Sequence, residues 1–160
     1  MAGIVHGVYI KPRRANERGL PKSLVESVRL SSHGAEGDYN RYRTERLKGD
    51  PDQAVLVMPM ETILALNEEF WPVKPGDLGE NITTAEIEYE SFAPGSRWRF
   101  GDSELVITKA CEPCRNLYKL SYVDAIYGPE FLKTLVDRRG WYARVTEPGT
   151  VSVGDSIEAL

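Results

Sequence analysis

The hydrophobic positions of this chain fall into short runs broken by glycine, proline and charge. Residues 4–10, Ile-Val-His-Gly-Val-Tyr-Ile, predict a first strand that Pro12 ends. Residues 13–19 are polar and turn-rich and predict a loop. Residues 25–30 alternate imperfectly and predict a second strand. Residues 31–49 hold few aliphatic side chains, many charges and the glycines Gly34, Gly37 and Gly49. A structureless stretch longer than about 12–15 residues usually carries a job, so this one is a candidate functional loop. Residues 54–58, Ala-Val-Leu-Val-Met, form a continuous apolar run suited to a central strand. After Pro59, the side chains of Ile63, Leu64, Leu66, Phe70 and Trp71 recur near helical spacing. Glu61 suits the positive end of that helix and Pro72 its stop.

The second half keeps the same rhythm. Residues 75–83, Pro-Gly-Asp-Leu-Gly-Glu-Asn-Ile-Thr, predict a glycine-rich bend that leads into a short strand. Residues 94–102 and 148–155 resemble each other, each with a Pro-Gly turn, a short strand and a Gly-Asp turn. Residues 104–108 predict a buried strand that stops at Pro113, which has no backbone N–H to donate. Residues 116–120 suit one helical turn. Residues 129–139 predict a second helix, with Pro129 in its first turn and Gly140 as its stop. Phe131, Leu132, Leu135 and Val136 would share one side of it, and residues 141–145 would return as a strand. The fold class is mostly β with two or so short helices, the sheet closed or partly closed as a barrel to remove its unpaired edges. Strand and helix do not alternate, which argues against a Rossmann-type fold.

Length and charge narrow the picture. The 160 residues suit a single domain, 1–160, which can bury roughly 68–70% of its unfolded surface without a disulfide. A net charge of −4 argues against broad nucleic-acid binding, which needs a dominant positive field. The first residues lack the basic start and apolar run of a signal peptide, and no segment approaches about 20 apolar residues. The expectation is a cytoplasmic protein with no membrane association. In that compartment thiols stay reduced, and a cysteine pair is more often catalytic or metal-binding than structural.

Both cysteines lie in Lys109-Ala110-Cys111-Glu112-Pro113-Cys114-Arg115. Cys114 should sit just past a strand end, with Lys109 and Arg115 to favour its anion. It is therefore the candidate reactive or metal-binding atom. The plain alternative is a pair of small packing residues. Cys-x-x-Cys is half of a structural zinc site, but only His6 and His33 remain as partners and neither has the spacing. A thioredoxin-like site would want the pair to open a helix in a βαβ setting, which the pattern does not supply.

Five Gly-Asp dipeptides occur, and most are plain turns. Gly76-Asp77 differs because Gly79-Glu80-Asn81 follows at once. Glycine lets backbone approach a ligand, and Asn81 offers both a donor and an acceptor; a tight bend with a structural Asn is the alternative. The segment Arg138-Arg139-Gly140-Trp141-Tyr142-Ala143-Arg144 gathers guanidinium groups that pair well with phosphate. Arg138 is more simply a charge at a helix end. Arg144 lies within a strand and contacts a ligand if its face is the barrel mouth.

Four segments, in order, resemble the MOSC domain, named after the C-terminal domain of molybdenum-cofactor sulfurases. They are Gly34-Ala35-Glu36-Gly37-Asp38, Gly79-Glu80-Asn81-Ile82-Thr83, Glu112-Pro113-Cys114 with Leu117, and Arg139-Gly140-Trp141-Tyr142-Ala143-Arg144-Val145. The likeness runs from about residue 34 to Gly154-Asp155. It implies a β-barrel built for a molybdenum cofactor (molybdopterin) or for sulfur carried as a persulfide. By that resemblance Cys114 is the molybdenum ligand or persulfide acceptor. Glu80, Asn81, Thr83, Arg139 and Arg144 would hold a phosphorylated pterin, with Arg115 beside the thiol. The implied activities are reduction of N-hydroxylated compounds or sulfur transfer, with an electron-donor or sulfur-donor protein as partner. The alternative is a non-catalytic cofactor or sulfur carrier acting with a larger enzyme. Two departures stand out. Lys48-Gly49-Asp50 replaces the His-Gly-Gly that many members carry, which puts reductase chemistry in doubt. Cys111 is an extra thiol, which makes a Cys111–Cys114 disulfide possible.

Overall fold

A computed structural model describes residues 2–15 and 19–160, with Arg41 and Tyr42 described in backbone only. Asn16, Glu17 and Arg18 of the loop expected at 13–19 lie outside the described residues. The first strand, β1 (Ala2–Ile10), turns Val5 inward on the period-2 pleat and buries Val8 and Tyr9 near its end. The strand expected at 25–30 is two strands broken at Glu26, β2 (Ser23–Val25) and β3 (Ser27–Ser31). β2 pairs with β1, whereas β3 joins a separate three-stranded sheet. The stretch 31–49 is not structureless: it contains β4 (Gly34–Ala35) and α1 (Arg41–Glu45). Asn40 caps α1 through the Arg43 N–H at 2.9 Å. The Arg43 guanidinium then donates to the carbonyls of Ser32, His33, Gly49 and Asp50, tying both ends of the stretch together.

The apolar run becomes β5 (Val55–Pro59), every residue of it buried. It is covered on both faces, with Val55 and Val57 in the barrel core and Met58 in a second core under the helices. The following helix, α2 (Met60–Glu68), ends earlier than Pro72. Its C-terminus closes through the Trp71 N–H to the Leu66 carbonyl, and this bend places Phe70 at a φ of +70°. Phe70 therefore points to solvent, 93% exposed, and does not join Ile63 and Leu66 on the apolar face as its spacing suggested.

The chain continues through β6 (Ile82–Ala85), β7 (Arg97–Phe100) and β8 (Ser103–Ala110) to α3 (Asp124–Thr134). α3 starts five residues before the expected Pro129, because the Asp124 side chain accepts from the Ile126 and Tyr127 N–H groups. Pro129 is inside the helix, and the Gly128–Phe131 face is buried against the second core. The helix also stops before Gly140, which instead leads into β9 (Trp141–Glu147). β10 (Gly149–Ser152) and β11 (Ser156–Ala159) complete the chain.

Seven strands close into a barrel in the order β1, β6, β5, β9, β8, β7, β11, with β11 pairing back to β1. All neighbours are antiparallel except β5 and β6, which are parallel and joined through α2. The barrel core gathers side chains such as Phe92, Trp98, Phe100 and Ile107. The two similar turn segments meet, since the Gly101 N–H donates to the Ser156 carbonyl and the Asp102 N–H to that of Thr150. Outside the barrel, α2 and α3 seal the second core around Leu66, Phe131 and Trp71, the two rings packed edge-on at 4.8 Å. Along the chain Cys114 falls between Ile107 of the barrel core and Leu117 of the second core.

Candidate functional site

β8 leaves the sheet at Ala110, three residues before Pro113. Its partner β9 begins at Trp141, opposite Ala110, so the ladder has nothing further to pair with. One more bond holds the end, from the Cys111 N–H to the Gly140 carbonyl at 2.9 Å. Gly140 adopts a φ of +98°, and a Cβ there would lie 2.5 Å from the Val57 carbonyl oxygen. Only glycine suits this close approach of backbone to backbone. The Tyr89 hydroxyl bonds the same residue twice, accepting from its N–H and donating to its carbonyl. Burial pushes the Tyr89 hydroxyl up to about 12, which keeps it a donor.

Past Pro113, Cys114 caps a short 3-10 turn, Arg115–Lys119, its carbonyl accepting from the Leu117 N–H. Leu117 is buried in the second core and pins the turn. The Cys114 side chain is exposed and its thiol is free. Behind it lies Arg139, only 6% exposed. One guanidinium nitrogen, Nη1, donates to the Cys114 Sγ at 3.2 Å and to the Glu112 carbonyl at 2.8 Å. The other, Nη2, donates to the Leu78 carbonyl at 3.2 Å. Nε is buried without a hydrogen-bond partner. Burial opposes the Arg139 charge, but the neighbouring Cys111 and Cys114 outweigh it and hold the group above its ordinary value. The thiol thus faces a fixed cation.

Cys111 is the contrasting partner. It is buried, its thiol 3.8 Å from the Glu112 carbonyl. Burial pushes the Cys111 thiol up and the Tyr142 hydroxyl up, so both stay protonated at neutral pH.

The other residues singled out in the sequence face elsewhere. The Glu80 side chain is fully buried, one oxygen accepting from the Gly76 N–H at 2.5 Å and the other without a partner. Burial pushes this carboxyl up to about 7. The Asn81 side chain is consumed internally, accepting from the Leu56 N–H and donating to Tyr9 and Asp38. Thr83 is buried with its hydroxyl 3.5 Å from that of Tyr9. Arg144 lies on the outer face of β9, opposite the inward Ala143 and Val145, and its Nε donates to Asp52 at 2.7 Å. Arg115, next in sequence to Cys114, is exposed. Of these candidates, Arg139 alone has a hydrogen bond to Cys114 among the described residues. No group of three or more His, Cys, Asp or Glu there is arranged around a metal position.

Sequence reasoning missed the Lys22–Asp38 pair. The Lys22 ammonium and Asp38 carboxylate meet at 2.7 Å, their side chains 2% and 10% exposed. Asp38 also accepts from the Lys11 N–H and the Asn81 amide. It therefore anchors the 34–38 segment to β1 and to the 76–81 bend, whose Leu78 carbonyl seats Arg139. The signal was the Gly37-Asp38 dipeptide, which reads as an ordinary turn until its distant partner is known.

A closed barrel bearing an exposed cysteine at a strand end, backed by a buried arginine, defines a small thiol-presenting β domain. The family model for the MOSC domain matches residues 44–158, and the chain belongs to that family. It is 29% identical over 154 residues to the uncharacterized protein YflK of Bacillus subtilis (strain 168), covering 90% of this chain and 64% of YflK. The chain thus spans just under two thirds of that relative's length. Its fold matches the YuaD protein of B. subtilis at 20% identity, with a TM-score of 0.80 over 99% of this chain and 96% of that one. YiiM from Geobacillus stearothermophilus has the same fold at 19% identity, with a TM-score of 0.77 over 99% and 75% of the two chains. YiiM from Escherichia coli follows at 24% identity, with a TM-score of 0.72 over 100% and 70%. Among the described residues no helix is long and apolar enough to cross a membrane.

Proposed function

We propose that this MOSC-domain protein works through Cys114 as an acceptor of sulfane sulfur, held as a persulfide for transfer onward. The observation that carries the reading is the exposed thiol with the buried Arg139 guanidinium 3.2 Å from its sulfur. Sulfur transfer needs a nucleophilic thiol that a donor can reach. A persulfide is also anionic at its outer sulfur, and the unpartnered Nε–H of Arg139 offers a further donor nearby. Arg115, exposed and next in sequence to Cys114, suits an anionic donor or acceptor.

The molybdenum cofactor, molybdopterin, is the second reading. Its support is the soft thiol ligand on a MOSC barrel, since thiolates select soft metals. The residues match the metal and do not match a phosphorylated pterin. Asn81 has its amide committed internally, Glu80 and Thr83 are buried, and Arg144 is held by Asp52. No step is therefore derived through the cofactor, and reduction of N-hydroxylated compounds belongs with this second reading.

The test uses Cys111→Ser, so that added mass reports on Cys114 alone. Treatment with inorganic polysulfide followed by peptide mass spectrometry should place one extra sulfur on Cys114. Arg139→Gln should lower the loading rate about tenfold, the worth of one charge-assisted hydrogen bond. No sulfur at Cys114, together with molybdenum that copurifies in a molybdopterin-producing host and is lost in Cys114→Ser, would overturn the proposal in favour of the second reading.

A further inference from the structure

The two thiols differ in every respect that separates an attacking sulfur from a resolving one. Cys114 is exposed, and Cys111 is buried three residues earlier. Both border one small feature. The Glu112 carbonyl lies 3.8 Å from the Cys111 thiol and 2.8 Å from Arg139 Nη1, and that same Nη1 is 3.2 Å from the Cys114 sulfur. The segment that separates the thiols lies outside β8 and before the 3-10 turn. Its ends are fixed by the Cys111 N–H on the Gly140 carbonyl and the Leu117 N–H on the Cys114 carbonyl. A disulfide needs Cα atoms about 4.4–6.8 Å apart, and only Glu112 and Pro113 lie between the two cysteines.

We infer that Cys111 discharges the Cys114 persulfide, so that the protein releases sulfide and passes through a Cys111–Cys114 disulfide. The inference rests on Cys114 as the sulfur acceptor. The Cys111 sulfur bonds to the Cys114 Sγ, and the bond from that Sγ to the outer sulfur breaks. The outer sulfur leaves as hydrosulfide, taking the electron pair of the broken bond and, on full protonation, the proton of Cys111. Sulfane sulfur is thereby reduced to sulfide while the two thiols are oxidised to a disulfide. A dithiol reductant then restores both thiols, its own pair becoming the disulfide. Arg139 stays beside the Cys114 sulfur, 3.2 Å away.

The experiment follows sulfide release and peptide masses after inorganic polysulfide is added to the reduced protein and excess donor is removed. The wild-type chain should release about one sulfide per disulfide formed, and a non-reducing peptide map should join Cys111 to Cys114. Dithiothreitol should reset it for another round. Cys111→Ser should keep its persulfide, with sulfide release slower by about tenfold or more. Cys111→Ala serves as a second variant, and thermal melts of both show whether either has lost the fold. If the wild type keeps its added sulfur as long as these variants do, the resolving role is overturned while the acceptor reading stands. If the variants take up no sulfur and the wild type releases none, the acceptor reading falls and this inference with it.

Discussion

Gly140 joins the arginine that meets the thiol to the strand that supports it, and replacing it tests how tightly the site is built. Gly140→Ala combines two penalties. The backbone has a φ of +98°, which a side chain destabilises by about 1 kcal/mol or more. The new methyl would also lie 2.5 Å from the Val57 carbonyl oxygen and 3.4 Å from the Met58 sulfur. Forcing such a contact adds roughly 1–3 kcal/mol. The control is Gly95→Ala, with a similar φ of +88° and nothing within 4 Å of its Cβ. Gly95→Ala should lower the melting temperature by about 2–4 °C, and Gly140→Ala by about 4–16 °C, at the usual scaling for this chain length. Differential scanning calorimetry reads both values. The displaced backbone should also slow iodoacetamide labelling or sulfur loading at Cys114, because Arg139 is the preceding residue. Equal melting shifts in the two variants would refute the argument that close approach, and not φ alone, dictates this glycine.

Further outcomes follow from groups around the site. Glu80 is raised from 4.5 to about 7, so the fold binds its proton more tightly than the unfolded chain does. Stability should therefore be full below about pH 4.5 and fall by roughly 3 kcal/mol as pH rises to about 7 and beyond, with urea melts of Glu80→Gln flat across that window by comparison. Asp38→Asn leaves the Lys22 ammonium buried without its counter-charge and should destabilise by about 3–5 kcal/mol in urea titrations. Arg144→Gln removes an exposed pair with Asp52, so stability should change by about 1 kcal/mol or less and Cys114 loading should not change.

How much of this was readable beforehand depends on what a pattern can encode. Most barrel strands announced themselves through short apolar runs or turn signals, and β5 through its unbroken run, but the closing strand β11 was not read. The helix boundaries did not, because a local rule lost to a local competitor. Pro129 reads as a helix start, but Asp124 caps the chain five residues earlier and the buried face around Phe131 tolerates the proline. Phe70 has helical spacing, yet the bend that ends α2 turns it outward. At the site, Cys114 could be placed past a strand end because proline interrupts pairing. The direction of the Glu80, Asn81 and Thr83 side chains could not, since a motif fixes order along the chain and not which way a residue faces. The bend that carries Glu80 and Asn81 runs into β6, which is wedged between β5 and β1, so these side chains are buried. Nor could the Lys22–Asp38 pair be read, because it joins segments that only the closed barrel brings together.

That closure has a consequence for how the protein comes off the ribosome. The seam zips β1 to β11, Ala2 opposite Glu158, so the sheet stays an open ribbon until β11 emerges. The β7 edge waits for β11 in the same way, with Phe100 opposite Ile157. Until then two strand edges are free to recruit strangers, the state in which nascent β proteins aggregate. A stalled chain missing only β11 should be chaperone-dependent, although most of the interior is already synthesised.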